Sequence, residues 1–409
     1  MNRSSAPFWF SIPLLCLASL WASGARASSD DFVDIIQATE QIPEDQLLDV
    51  GIRVFDPGIP DDADAKAALE AKGVFEDVRK SEARYLPITL KTTVETTGFW
   101  GAVRLVPGAN AVDVAIDGDI VTSNGKKLVI DLRVADARGR SWLEKRHEQQ
   151  ADRIAYDKKS KSKREPFQSL YNRIANDLLK AGQALAPKDL VEIRRVAELK
   201  FAADLAPTAF GNYLTYKKGR FSVAKLPAAG DPMMARVAQI RERDQMFIDT
   251  LNEYYADLFA KMDPPYGSWR SDSYEEQVAL DKLNRASKWE KILGAAAIVG
   301  GVMIAREGGG WGNPGEVAIL AGMASISDSM NKAEQAKMHR QALNELAESF
   351  DSEASELLVD VEGEVIRLKG SVETQYGTWR QMLRQIFATE MGLPVDPNGP
   401  PVPEARPKT

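Results

Sequence analysis

The sequence predicts an α+β protein, with a small mixed sheet and helices on one face at the N-terminal end, then a mainly helical region. Three observations carry that expectation. Between Leu47 and His147, apolar and polar residues alternate in short runs, the period of a half-buried strand. From Glu165 onward the apolar residues recur every three or four positions, the period of an amphipathic helix. Between residues 291 and 330, two small-residue apolar runs flank a glycine-rich connector, which reads as a helical hairpin.

Arg3, the apolar stretch from Phe8 to Trp21 and then Ala25-Arg26-Ala27 have the charged, apolar, small-x-small order of a secretory signal peptide cut before Ser28. Cys16 follows Pro13-Leu14-Leu15, without the small residues of a lipid-attachment signal, so cleavage removes the only cysteine. The mature chain is then expected to fold in the periplasm without disulfides. Losing Arg3 and Arg26 leaves 50 basic residues (52 − 2) against 59 acidic ones, and net charge moves from −7 to −9. That balance is the opposite of a generic nucleic-acid binder.

Roughly 380 mature residues exceed what one core usually organises. The expected divisions are a signal peptide (1–27), an α/β envelope domain (28–156), a basic linker (157–166), a helical domain (167–290), the Gly/Ala-rich hairpin (291–330), a helix, β-hairpin and helix (331–392), and a Pro-rich tail (393–409) expected to be disordered.

Within the first domain, "LLDVGIRVF" places Val50, Ile52 and Val54 on one face and stops at the turn Asp56-Pro57-Gly58. Helices follow at Ala63 to Lys72 and between Val78 and Thr97. Four strand candidates come next, "WGAVRLVP", "AVDVAIDGDIV", "KKLVIDLRVAD" and "RSWLEKRH", with the hairpin signal Asn124-Gly125 between the second and third. Strand, helix, then meander implies helices packed on one face of an antiparallel sheet. On the residues "VGIRVFDPG", "LKTTVETTGFWGAVRLVP" and "VDVAIDGDI…KLVIDLRVADARGRSWLEKR", this region resembles the small periplasmic domains of the curli-secretion-channel family and of ABC-transporter auxiliary lipoproteins. The resemblance covers about a quarter of the chain and implies a part in secretion or transport. The lipid-attachment cysteine common in those proteins is absent.

The linker "DKKSKSKRE" is a solvated connector or a contact for anionic head groups or phosphate. Leu170, Ile174, Leu178 and Leu179 then stripe one helix, which Pro187 ends. Val237, Ile240, Phe247, Leu251, Tyr254 and Leu258 stripe a second. The loop "DPPYGSWRSDSYEE" follows, and a third helix is expected to start at the capping box Ser273 to Glu276.

The hairpin's apolar runs, Ile292 to Ala305 and Val317 to Ile326, hold 14 and 10 residues, short of the roughly 20 that a bilayer asks for. Gly294, Ala297, Gly301 and Ala305 on one run, and Ala318, Gly322 and Ser325 on the other, form small-xxx-small faces that let helix backbones approach closely. Asn313-Pro314 with Glu316 starts the second arm. Those residues are the expected self-association surface of a homo-oligomer. After a charged helix ending near Phe350, "SELLVDVEGEVIRLKGSV" fits a strand pair better than a helix, because Gly363 and Gly370 would each cost a helix about 1 kcal/mol. A last helix, "TQYGTWRQMLRQIFATEMG", follows; the pattern of these elements is similar to BON-type envelope domains.

Catalytic patterns are sparse. His147-Glu148 begins like a zinc-protease helix, but Ala151 stands where the second histidine belongs. "GDIVTSNGKK" lacks phosphate-loop spacing, and no G-x-S-x-G elbow exists. Tyr266, Trp269, Arg270 and Asp272 could hold a sugar or peptide, or merely cap an inter-helix turn. Asp113, Asp117 and Asp119 could bind a cation, or line an exposed strand face. The expectation is therefore a non-catalytic periplasmic assembly or transport accessory, needing no cofactor or metal. Its expected partners are further copies of itself and an envelope protein, with contact to the outer membrane. Two alternatives stand beside it, an oligomeric pore built from residues 291–330 and a glycan or peptide hydrolase.

Overall fold

The computed structural model describes residues 32–70, 74–108, 112–157, 159, 164–300, 338, 341–346, 356–361, 364–369 and 371–393, with backbone alone at 70 and 280 and over 283–300, 356–361, 364–367 and 369. The signal-peptide and tail expectations, and the hairpin beyond Gly300, lie outside those residues. From Val33 onward the chain falls in one compact unit.

The fold is α+β. Five strands, β1 (Val50–Ile52), β2 (Val103–Leu105), β3 (Val114–Ser123), β4 (Lys127–Asp136) and β5 (Ser141–Gln150), form a sheet in the order β2-β1-β3-β4-β5. The sheet is mixed, since β1 runs parallel to both β2 and β3 while β3, β4 and β5 form an antiparallel meander. Parallel neighbours need a crossover, and α1 (Ala63–Glu70) with α2 (Glu76–Glu95) supplies it between β1 and β2. Asn124-Gly125 turns the β3–β4 hairpin as expected, with Asn124 Oδ1 accepting from the Lys126 and Lys127 amides.

Strand alternation sorts the two faces. Val114, Ile116 and Ile120 of β3 and Ile130, Leu132 and Val134 of β4 are buried under helices. Burying each such side chain stabilises the fold by about 1.5–3 kcal/mol. The opposite face carries charged residues paired across strands, Arg53 with Asp117, Arg133 with Asp119, and Arg146 with Asp131. Asp117 and Asp119 are thus paired with arginines. Asp113, just before β3, is instead buried and accepts the Asp49 amide.

The helices are α3 (Gln168–Gln183), α4 (Pro187–Leu205), α5 (Pro207–Phe210), α6 (Pro232–Gly300) and α7 (Val372–Met391). Two further strand pairs are β6 (Leu214–Lys217) with β7 (Arg220–Val223) and β8 (Glu356–Val361) with β9 (Glu364–Lys369). The β8–β9 pair is the strand reading of that segment. Serine 371 caps α7 by accepting the Thr374 amide, and Gly392 closes it at φ 61°. Sequence periodicity passed over α4 and the β6–β7 hairpin altogether.

The largest correction concerns α6. The expected loop at Pro264-Pro265 and the capping box at Ser273 do not exist, because one helix of 69 residues runs through both. Its buried stripe, Val237, Ile240, Asp244, Phe247, Leu251, Tyr255, Leu258, Met262, Tyr266 and Trp269, keeps phase across the prolines. Two missing helix hydrogen bonds are outweighed by the side chains locked on either side of them. Tyr255, not Tyr254, takes the buried position.

α6 also closes the sheet. Asn252 Oδ1 accepts the Leu105 amide at 2.8 Å and its Nδ2 donates to the Leu105 carbonyl at 2.9 Å, so one side chain stands in for a strand beside β2. The hairpin tip meets the same helix further along. A Cβ on Gly125, which sits at φ +71°, would collide with the Arg270 carbonyl and come within 2.9 Å of the Tyr274 nitrogen.

Candidate functional site

Three of the four residues expected in a ligand loop, Tyr266, Trp269 and Arg270, lie inside the protein at 1–3% exposure; Asp272 is half-buried. They join α6 to the sheet domain. Glu82 of α2 accepts from Ser123 Oγ at 2.5 Å and from the Tyr266 hydroxyl at 2.9 Å, and Arg79 Nε lies 3.6 Å from its other oxygen. Burial pushes the Glu82 carboxyl above the usual range, against the pull of Arg79. Arg270 donates to Glu165 at 2.6 Å and lies over the Tyr266 ring at 4.4 Å. Tyr85 donates to Asp263 at 2.7 Å and stacks on Phe259. Burial raises the Tyr85, Tyr171 and Tyr266 hydroxyls well above their ordinary values, so all three are neutral; Tyr85 and Tyr266 donate hydrogen bonds, whereas the buried Tyr171 hydroxyl has no partner among the described residues.

A second buried cluster ties α4, α6 and α7. Arg380 pairs with Asp204 and, at 3.1 Å, with Asp244, and its guanidinium lies 4.2 Å over the Phe201 ring. Arg384 donates to Asp204 at 2.6 Å, and the Tyr376 hydroxyl donates to Asp244 at 3.2 Å. Beside it a small cavity of about 20 Å³ is lined by Asp49, Arg104, Asp244, Gln245 and Tyr376 among others. That volume holds about one water molecule. Two of its polar walls are already engaged: Asp49 accepts the Ala102 amide, and Arg104 forks onto Asp249.

The zinc-protease reading of His147 meets a strand rather than a helix. His147 sits on β5, 1% exposed, with Nε2 2.9 Å from Asp177 of α3, which Lys145 also reaches at 2.7 Å. Burial, aided by Lys145, lowers the His147 pKa against the pull of Asp177. A folded value below the unfolded value near 6.5 means stability is complete above that pH and falls as pH drops through it. His147→Gln is therefore expected to flatten the stability loss between about pH 6.5 and 5, read as urea midpoints at each pH. An unchanged slope would assign the loss to other groups.

Among the described residues, no group of three or more His, Cys, Asp or Glu side chains has metal-site geometry, and no helix is long and apolar enough to cross a membrane. Gly294 and Ala297 of the expected self-association face lie on the helical backbone of α6. Gly301, Ala305, Ala318, Gly322 and Ser325 lie outside the described residues. No protein family, curated protein or solved structure matches the chain.

Proposed function

We propose that the protein is a non-catalytic periplasmic assembly or transport accessory that works through protein–protein association, with residues 291–330 as its self-association surface. The observation that carries this reading is α6. At 1.5 Å per residue, its 69 residues make a rod about 100 Å long. Its farthest polar contact with the sheet domain, among the described residues, is Asp281 with Lys126. The helix continues about 28 Å past that point to Gly300, into the Gly/Ala-rich stretch. By Leu343 the chain has returned, and the Leu343 carbonyl accepts from Ser81 Oγ.

Further support comes from the way the buried charges are used. Arg270, Glu165, Arg380, Asp204 and Asp244 bind elements of the chain to one another, which suits a rigid mount for a projecting arm. Membership of the envelope rests on the N-terminal pattern and on the resemblance of residues 28–156.

The test is the mass and detergent requirement of the purified protein, repeated with Gly301→Leu and Gly322→Leu. Leucine at those positions separates closely apposed backbones, so an oligomer is expected to fall apart while the melting curve of the body stays in place. A detergent-free monomer indifferent to both substitutions would sink the reading. A detergent-dependent oligomer lost on substitution would favour the pore.

A further inference from the structure

The β6–β7 hairpin stands out by the density of its cations in a stretch without acid. Many arginines elsewhere are held by carboxylates, as in the pairs of Arg53, Arg104, Arg133, Arg138, Arg270 and Arg380. At the hairpin tip, Lys217, Lys218 and Arg220 are exposed, and their side chains make no ion pair or hydrogen bond among the described residues. No acidic residue occurs between Asp204 and Asp231, in a chain that carries an excess of acid overall. Lys225 adds a fourth cation, its ammonium 4.3 Å over the Tyr213 ring.

The backbone holds this tip in place. Lys218 and Gly219 take φ 52° and 78°, the left-handed pair of a tight hairpin turn, and Lys218 is the non-glycine residue with positive φ among the described residues. Asparagine or glycine suits that position better than a long cation. The Phe221 amide donates to the Arg138 carbonyl at 2.8 Å, and the buried Phe221 ring lies under the Lys200 ammonium. The hairpin is thus anchored at its base and presents its cations outward.

Each end of the cationic run adjoins an exposed apolar side chain, Tyr216 at 48% and Leu226 at 54% exposure. Free cations beside an exposed aromatic ring and a leucine match the interfacial zone of a bilayer, where phosphates take the charges and the ring sits at head-group depth. We infer that the β6–β7 hairpin docks the protein on an anionic bilayer surface through Lys217, Lys218 and Arg220, with Tyr216 entering the head-group layer. A soluble polyanion would engage the cations and have no use for Tyr216 and Leu226.

The test is co-sedimentation of the purified protein with vesicles of phosphatidylglycerol and phosphatidylcholine in equal parts, against vesicles of phosphatidylcholine alone. Each cation near an anionic surface raises partition about fivefold, so the triple variant Lys217→Gln, Lys218→Gly, Arg220→Gln is expected to lose about two orders of magnitude. Glycine at 218 preserves the turn, and an unchanged thermal melt confirms the fold. Binding of the wild type is expected to vanish in high salt and to weaken with Tyr216→Ser. The inference is overturned if the wild type ignores anionic vesicles, if the triple variant binds as well, or if heparin is bound while vesicles are not. Salt-resistant binding to phosphatidylcholine alone would also overturn it, and would assign membrane contact to an apolar segment such as 291–330 without bearing on the oligomer.

Discussion

Replacing Arg270 with alanine is expected to lower the unfolding free energy by about 3–5 kcal/mol, the loss typical of a buried ion pair stripped of one partner. Arg270 is 3% exposed, donates to Glu165 and covers the Tyr266 ring, so the truncation leaves a carboxylate with 14% of its side chain exposed and opens a void over two tyrosines. Asp272→Ala, two residues on and half-buried, is expected to cost far less. Urea denaturation of the two variants makes the comparison, and equal midpoints would show Arg270 to be solvated in its native state. One practical result follows. Loss of any activity in Arg270→Ala would report loss of fold, so only Asp272→Ala is a fair probe of ligand binding in this segment.

A loss of similar size is expected for Arg380→Ala. Asp204 keeps Arg384 at 2.6 Å, whereas Asp244 loses its cation and keeps the neutral Tyr376 hydroxyl. Burial already raises the Asp244 carboxyl, so the orphaned group should take up a proton. Stability of the variant is then expected to improve as pH falls toward 5, and adding Asp244→Asn should recover part of the loss at pH 7. Double-mutant denaturation reads this directly, and additive losses would mean that Arg380 and Asp244 are not coupled.

The α+β class was legible because the long strands of the sheet and the long helices each keep their own period. Val114, Ile116, Ile130 and Leu132 alternate, and Leu170, Ile174 and Leu178 do not. Asn124-Gly125 marked its turn because few other dipeptides accept that geometry. The failures share a cause in the competition between local and tertiary terms. Pro264-Pro265 signals a break at roughly 3 kcal/mol per proline, and only the packing of Met262, Tyr266 and Trp269 on the sheet domain outweighs it. α4 escaped notice because Leu199, Phe201, Ala202, Ala203 and Leu205 are buried on several sides, which blurs any stripe. β6 and β7 have four residues each, too few to show alternation. At the candidate site the residue types near 266–272 were singled out correctly, but the partners that bury them, Glu82 and Glu165, lie more than a hundred positions away in sequence.

The bond between Asn252 and Leu105 spans 147 positions, and synthesis runs from one end. While the chain is emerging, β2 is complete long before the side chain that occupies its outer edge exists. During that interval the young sheet offers unsatisfied amide and carbonyl groups to any extended segment nearby, including the same strand of another nascent copy. On the export route proposed above, the chain would meet this hazard in a compartment where it begins to fold as it arrives. The time needed to deliver residue 252 thus becomes a physical parameter of the protein's yield, and slowing delivery should favour aggregates seeded at β2.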